Sequence, residues 1–292
     1  HAGLAGRRRG QEQIGAMKAA KFDYKKANDL DGAVSALSSG DRDCKVLAGS
    51  QSLGPMMNLR LARPDRLVDI RALDDLKAVI RADDHLFVGA LITHANIEDG
   101  ALSDVTRGMM AHVAAGIAYR AVRNRGTIGG SLVHADPAGD WPTALRALGA
   151  HVVIDGPAGA REVAIDAFQL GAFTVALEEN EIVRGVRVPC LSEAARWGYH
   201  KICRKPGEFA ESIGAYVCDP ESGIARLVLA ATEDAPLQLD TAAAAIAQND
   251  GAKFDLDAAR IALTETGETF DPFKLQMHAV ALHRAVAQAY GA

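Results

Sequence analysis

The run Cys44-Lys45-Val46-Leu47-Ala48 reads as a short buried strand, and it empties directly into Gly49-Ser50-Gln51-Ser52 before apolar Leu53, Met56, Met57 and Leu59. A strand that ends in small polar residues around a glycine brings consecutive backbone N–H groups to one point, which is an anion nest. A second segment of the same character follows later, Thr127-Ile128-Gly129-Gly130-Ser131. Taken singly, each reads more readily as a tight connection between buried elements. Together they point to one ligand held from two sides. Neither matches a GxGxxG dinucleotide fingerprint or a Walker loop, which argues against a nicotinamide Rossmann site and against phosphoryl transfer.

The 292 residues suffice for two or three compact units, and 49% hydrophobic with 24% charged residues is an ordinary globular balance. A net charge of −5 argues against a general nucleic-acid-binding surface, which rests on clustered Lys and Arg. The one basic cluster, Arg7-Arg8-Arg9, lies in residues 1–16, which show no apolar periodicity and read as a tag-like or disordered extension. No apolar run is long enough to span a membrane, so a cytoplasmic protein is expected. Cys44, Cys190, Cys203 and Cys218 form no CxxC pair, so this chain is expected to hold no iron–sulfur cluster of its own and to use its thiols in packing.

Three units are expected: residues 17–73, 74–190 and 193–292. In the first, Asp29 to Leu37 reads as a capped helix and Arg66 to Ile70 as a strand. In the second, Leu76–Ile80 and His85–Ala90 read as a hairpin, Thr93 as a helix N-cap, Met109–Tyr119 as an Ala-rich helix, Trp141 onward as a helix with Pro142 in its first turn, and His151–Ile154 and Glu181–Val188 as strands. In the third, Ile213–Cys218 and Ile224–Ala230 flank a turn at Asp219-Pro220-Glu221-Ser222-Gly223, and helices are expected near Leu239–Gln248 and Leu275–Ala289.

The segments Leu47 to Arg60 and Arg125 to Pro137 resemble the two FAD-binding stretches of the medium subunit of molybdenum hydroxylases, the family of xanthine dehydrogenase and carbon monoxide dehydrogenase. A third stretch, Gly198-Tyr199-His200-Lys201-Ile202-Cys203-Arg204-Lys205-Pro206-Gly207-Glu208-Phe209-Ala210, resembles the start of that family's C-terminal domain. The resemblance implies an α+β fold: a two-subdomain FAD-binding domain of the vanillyl-alcohol oxidase-like type, then an antiparallel sheet with helices. It also implies that Leu47, Ala48, Gly49, Ser50, Gln51 and Ser52, with Thr127, Gly129, Gly130 and Ser131, wrap the FAD pyrophosphate and adenosine part. Flanking Lys45, Val46, Leu53, Ile117 and Val133 join this cradle, as do His134, Asp136, Gly139 and Asp140, the last as acceptor from a sugar hydroxyl. Ile182 and Val183 are assigned to the adenine side, Tyr199 and Lys201 to the isoalloxazine ring. Family members often carry a second glycine where this chain has Ser50.

The same resemblance implies an electron-transfer role. Substrate is oxidised at a molybdenum cofactor on a large subunit, two [2Fe–2S] clusters on a small subunit carry the electrons, and FAD on this chain passes them to an external acceptor, in a dimer of heterotrimers. No catalytic acid or base and no metal site is assigned to this chain. His134 has no His or Cys partner at ligand spacing, and His85, His94, His112, His151 and His200 share no motif. Asp136 reads as a turn-shaping residue, Trp141 and Trp197 as core, and Met56-Met57 as filling beneath the first turn. Arg204-Lys205 reads equally as a solvated edge or as a positive charge near the flavin. Two other readings stay open: a stand-alone flavin oxidase or cell-wall-precursor reductase with the same cradle, which would need its own catalytic acid or base, and a non-enzymatic nucleotide-binding module.

Overall fold

The computed structural model describes residues 18–38, 40, 42–249, 251 and 253–291. The extension expected over residues 1–16 lies outside them. The first unit comprises β1 (Asp23–Lys26), α1 (Leu30–Leu37), β2 (Cys44–Leu47), α2 (Leu53–Asn58) and β3 (Arg66–Asp69). Its three strands are parallel in the order β1-β3-β2. Asp29 caps α1 by accepting from the Gly32 N–H at 2.6 Å, and Ala33, Ala36 and Leu37 bury one face of the helix against Val68 and Ile70 of the sheet side.

The second unit contains β4 (Val79–Arg81), β5 (His85–Gly89), α3 (His94–Glu98), α4 (Met109–Ala115), α5 (Arg120–Arg123), α6 (Ile128–His134), α7 (Asp140–Leu148), β6 (His151–Gly156), β7 (Gly159–Ala164), α8 (Ile165–Phe168), β8 (Gln169–Gly171), β9 (Thr174–Val175) and β10 (Ile182–Pro189). Five of these strands form an antiparallel sheet, β4-β5-β10-β6-β7. Val152 and Ile154, like Val186 and Val188, are fully buried at every second position, the pattern of a sheet with one face on a core. That core is closed by α7, whose Trp141, Ala144, Leu145, Ala147 and Leu148 are all fully buried.

The third unit comprises β11 (Arg196–Ile202), β12 (Ser212–Asp219), β13 (Ile224–Ala230), β14 (Leu237–Gln238), α9 (Asp240–Gln248), α10 (Leu256–Glu265) and α11 (Pro272–Tyr290). Its antiparallel sheet is buried on both faces. Ile213, Ala215 and Val217 join the core under α7, while Tyr216 and Cys218 join the core under the helices that follow. Gly198 and Gly214 let α11 lie directly on the sheet, since a Cβ at either position would stand 1.8 Å from the Ala285 carbonyl or 2.4 Å from the Ala281 carbonyl.

The α+β class and the two predicted hairpins are as expected, and three local expectations change. Leu76 to Ile80 is not one strand: Asp74–Lys77 forms a 3₁₀ turn that buries Leu76 and turns its carbonyl to the Leu91 N–H at 2.8 Å, and pairing begins at Val79. The helix expected over Met109–Tyr119 stops at Ala115, because Gly116 ends it and Ala118 takes a left-handed φ of 41°. An additional helix, α10, is started by Asp255, whose carboxylate accepts from the N–H groups of Asp257 and Ala258. Among the described residues no helix is long and apolar enough to cross a membrane.

Candidate functional site

Between the first unit, the second unit and the start of the third lies a cavity of about 1370 Å³. That exceeds the roughly 300–1,000 Å³ of ordinary small-molecule pockets and suits an extended ligand. All the residues assigned to the cofactor on sequence line it, except Leu47 and Tyr199. Leu47 instead accepts from the Ile70 N–H at 3.2 Å, and Tyr199 lies one layer back, buried behind Asp140.

The first turn follows β2 directly and opens α2. Among the described residues, the N–H groups of Gly49, Ser50, Gln51 and Ser52 find no acceptor in the protein. Buried or half-buried N–H groups left in this way need a ligand or solvent partner. The turn is held from behind by the Gln51 side chain, which donates to the Gly49 carbonyl at 2.9 Å. Ser50, at the family's second glycine position, sits at φ 60°, the left-handed region that glycine enters without steric cost.

The second turn is built differently, and here the expectation of a backbone nest is corrected. It is the start of α6, with Thr127 as N-cap. Its amides after Thr127 are spent inside the protein: Ile128 N–H donates to the Ile92 carbonyl (3.0 Å), Gly129 to Ala90 (3.0 Å), Gly130 to Thr127 Oγ1 (3.1 Å) and Ser131 to the Thr127 carbonyl (3.0 Å). What this segment offers the cavity is the hydroxyls of Thr127 and Ser131. Gly129 serves packing, since a Cβ there would stand 2.5 Å from the Ala90 Cβ and 2.9 Å from its Cα.

The cavity wall beyond α6 carries charge. Tyr199 and Lys201 lie two residues apart on β11, so they share a face, and both reach Asp140 at the start of α7. The Tyr199 hydroxyl donates to Asp140 Oδ1 at 2.7 Å, and Lys201 Nζ donates to both carboxylate oxygens at 3.0 and 3.1 Å and to the Gly116 carbonyl at 2.8 Å. Burial pushes the Asp140 carboxyl up from its usual range, against the Lys201 charge and the two hydrogen bonds that pull it down. Burial, and then the neighbouring carboxylate, pushes the Tyr199 phenol well up. Asp140 is thus already engaged by two protein donors, partners that sequence reasoning did not foresee. Asp136 shapes its turn as expected, accepting from the Ala138 N–H at 2.9 Å. Ile182 and Val183 form a buried apolar wall, and the His134 ring packs 5.3 Å from Phe173.

Sequence reasoning missed His94. It follows the Thr93 cap directly, is buried, and lines the cavity. The only signal was its place at the first position of a capped helix, which does not distinguish an inward ring from an outward one.

The residues present fit FAD: unpaired amides and hydroxyls for a diphosphate, apolar walls for ring systems, and length for a dinucleotide. Comparison with known proteins agrees. Residues 20–191 match the family described as the FAD binding domain in molybdopterin dehydrogenase. The carbon monoxide dehydrogenase medium chain of Hydrogenophaga pseudoflava is 36% identical over 221 residues, covering 75% of this chain and 77% of the relative. The corresponding chain of Afipia carboxidovorans is 32% identical over 279 residues, covering 92% and 96%. In a solved structure of carbon monoxide dehydrogenase from Hydrogenophaga pseudoflava, the similar chain superposes with a TM-score of 0.85 at 32% identity, covering 94% of this chain and 99% of that one. The unpaired amides of the first turn, the hydroxyls of the second and the match across both therefore lead to one conclusion: this chain belongs to the FAD-binding medium subunits of the molybdopterin dehydrogenases, a family of oxidoreductases.

Proposed function

We propose that this chain is the electron-transfer subunit of a heterotrimeric molybdenum hydroxylase, taking electrons from [2Fe–2S] clusters on a small subunit and passing them through FAD to an external acceptor. Substrate oxidation falls to a large subunit with the molybdenum cofactor, and the assembly is a dimer of heterotrimers. The observation that carries this reading is one cavity, lined by three stretches distant in sequence, onto which the first-turn amides face unpaired. Bound FAD supplies a redox centre that accepts and releases electrons. The chain's own residues do the rest. The first-turn amides and the hydroxyls of Thr127 and Ser131 hold the diphosphate, and Ile182 and Val183 flank the adenine. Lys201, held by Asp140 and the Gly116 carbonyl, sets the charge at the flavin end. Residues 17–73 and 74–190 act as the two FAD-binding subdomains and residues 193–292 as the C-terminal domain that brings Tyr199 and Lys201 to the wall.

The purified chain mixed with FAD and desalted is expected to keep the flavin absorption bands, and addition of the partner subunits with their substrate is expected to bleach them. Turnover of substrate by the flavin-loaded chain alone would defeat the electron-transfer reading, and no retained flavin would defeat the cradle.

A further inference from the structure

Trp141 and His94 form a buried pair outside the assigned contacts. The Trp141 indole N–H donates to His94 Nδ1 at 3.0 Å, both rings are buried, and their centroids are 6.1 Å apart. An indole nitrogen can only donate, so Nδ1 must be the acceptor and the ring must carry its proton on Nε2. The ring is fixed further by its own backbone, whose N–H donates to the Gly126 carbonyl at 3.0 Å. Burial, with the Arg123 charge adding to it, pulls the imidazole down to about 4, which keeps it neutral at ordinary pH.

The Nε2–H has no acceptor among the described residues, although His94 is only 5% exposed and lines the cavity. Gly126 leaves that edge of the ring clear, since a Cβ there would stand 2.7 Å from Nε2. The first turn is adjacent, because a Cβ on Gly49 would stand 2.9 Å from the Gly126 Cα. The imidazole edge and Gly49, the first residue of the open turn, therefore both lie against Gly126. A ring donor that opens onto the cavity beside other open donors suits one acceptor-rich group.

We propose that His94 is a cofactor-binding residue: its Nε2–H donates to a diphosphate oxygen of FAD, and Trp141 is the positioning residue that locks the tautomer able to do so. The proposal rests on the cradle reading above and adds to it a neutral donor from α3.

The test uses the full chain labelled with ¹⁵N at histidine, the His94 signals being assigned by their loss in His94→Gln. Without FAD, Nε2 is expected to be the protonated nitrogen from pH 8 down to pH 5. On FAD loading, followed by flavin absorbance, the Nε2–H resonance is expected to move and its exchange with water to slow. Full loading with an unmoved resonance overturns the proposal, as does a proton found on Nδ1. In parallel, His94→Phe is expected to weaken FAD binding by at least about tenfold, the scale of a hydrogen bond to a charged group, with partial recovery in His94→Gln, which keeps an N–H donor. Should His94→Phe fail to fold by circular dichroism, the resonance measurement on the unaltered chain still decides. An unaltered chain that takes up no flavin overturns the cradle reading, and with it the role of His94.

Discussion

The α-carbon of Gly49 faces the carbonyl of Arg125 so closely that a Cβ at Gly49 would stand 2.1 Å from that oxygen. The two glycine-containing segments are thus in backbone contact, and the glycine of the first turn is required by the approach of the second segment. Gly49→Ala is expected to cost about 1–3 kcal/mol, the usual scale of overpacking, because the obstacle is backbone and cannot swing aside. A lowered melting temperature together with reduced flavin content would bear this out. A variant with unchanged melting and full flavin would contradict it.

Ser50 should respond in the opposite direction. Its φ of 60° is strained for a residue with a Cβ. Ser50→Gly is expected to raise stability by about 0.5–1 kcal/mol, the strain relief being partly offset by the greater freedom of glycine in the unfolded chain. Flavin should be retained, since the donors of this turn are backbone amides. Urea unfolding of the two proteins gives the comparison.

The ion pair at the cavity wall has side chains only 10% exposed at Asp140 and 12% at Lys201. Lys201→Met leaves a buried carboxylate without its cation, and a loss of about 3–5 kcal/mol is expected. Removing the cation lets burial raise the Asp140 carboxyl further, and a group whose folded pKa is raised gains stability as pH falls through it. The deficit relative to the unaltered chain should therefore shrink from pH 8 to pH 5. Adding Asp140→Asn should recover part of the loss, so additive effects in a double-mutant cycle would refute the coupling.

Acid should loosen the fold through buried imidazoles. His94 and His278 both have pKa values lowered to about 4, chiefly by burial, against an ordinary 6.5. The unfolded chain binds protons that the folded chain refuses, so this stability is complete above pH 6.5 and is lost as pH falls toward 4. For His94 the loss amounts to ~3 kcal/mol. The His278 ring shares a hydrogen bond with the Ser212 hydroxyl at 2.8 Å, which His278→Gln can preserve while removing the titration. Urea midpoints between pH 7 and pH 4.5 should be flatter in that variant than in the unaltered chain.

Local chemistry made much of this molecule readable in advance. Asp29 before Leu30 is an N-cap in the structure, Thr93 caps α3, and the alternation of Glu181 to Val188 is the central strand β10. The two turn segments were legible because each clusters glycine and small hydroxyl residues, whereas the stretch from Gly198 to Ala210 was legible only through its resemblance to a known family. The Leu76–Ile80 stretch was misread because a 3₁₀ turn and a strand edge both tolerate its apolar run, and only the docking of Leu76 under Leu91 selects between them.

By itself, then, the sequence determined the identity and order of the segments that line the cavity, since propensity, capping and the glycine positions are properties of neighbouring residues. Tertiary structure alone decided which donors stay free. The amides of Ile128 and Gly129 are consumed by Ile92 and Ala90, more than thirty residues away along the chain, while among the described residues those of Gly49 to Ser52 meet no such partner. It likewise decided that Asp140 is answered by Tyr199 and Lys201, and that Trp141 fixes the proton on His94, because hydrogen-bond saturation depends on what the fold brings within 3 Å. The two turns look alike as strings of residues, yet one is an open cradle of amides and the other a closed helix cap that offers hydroxyls.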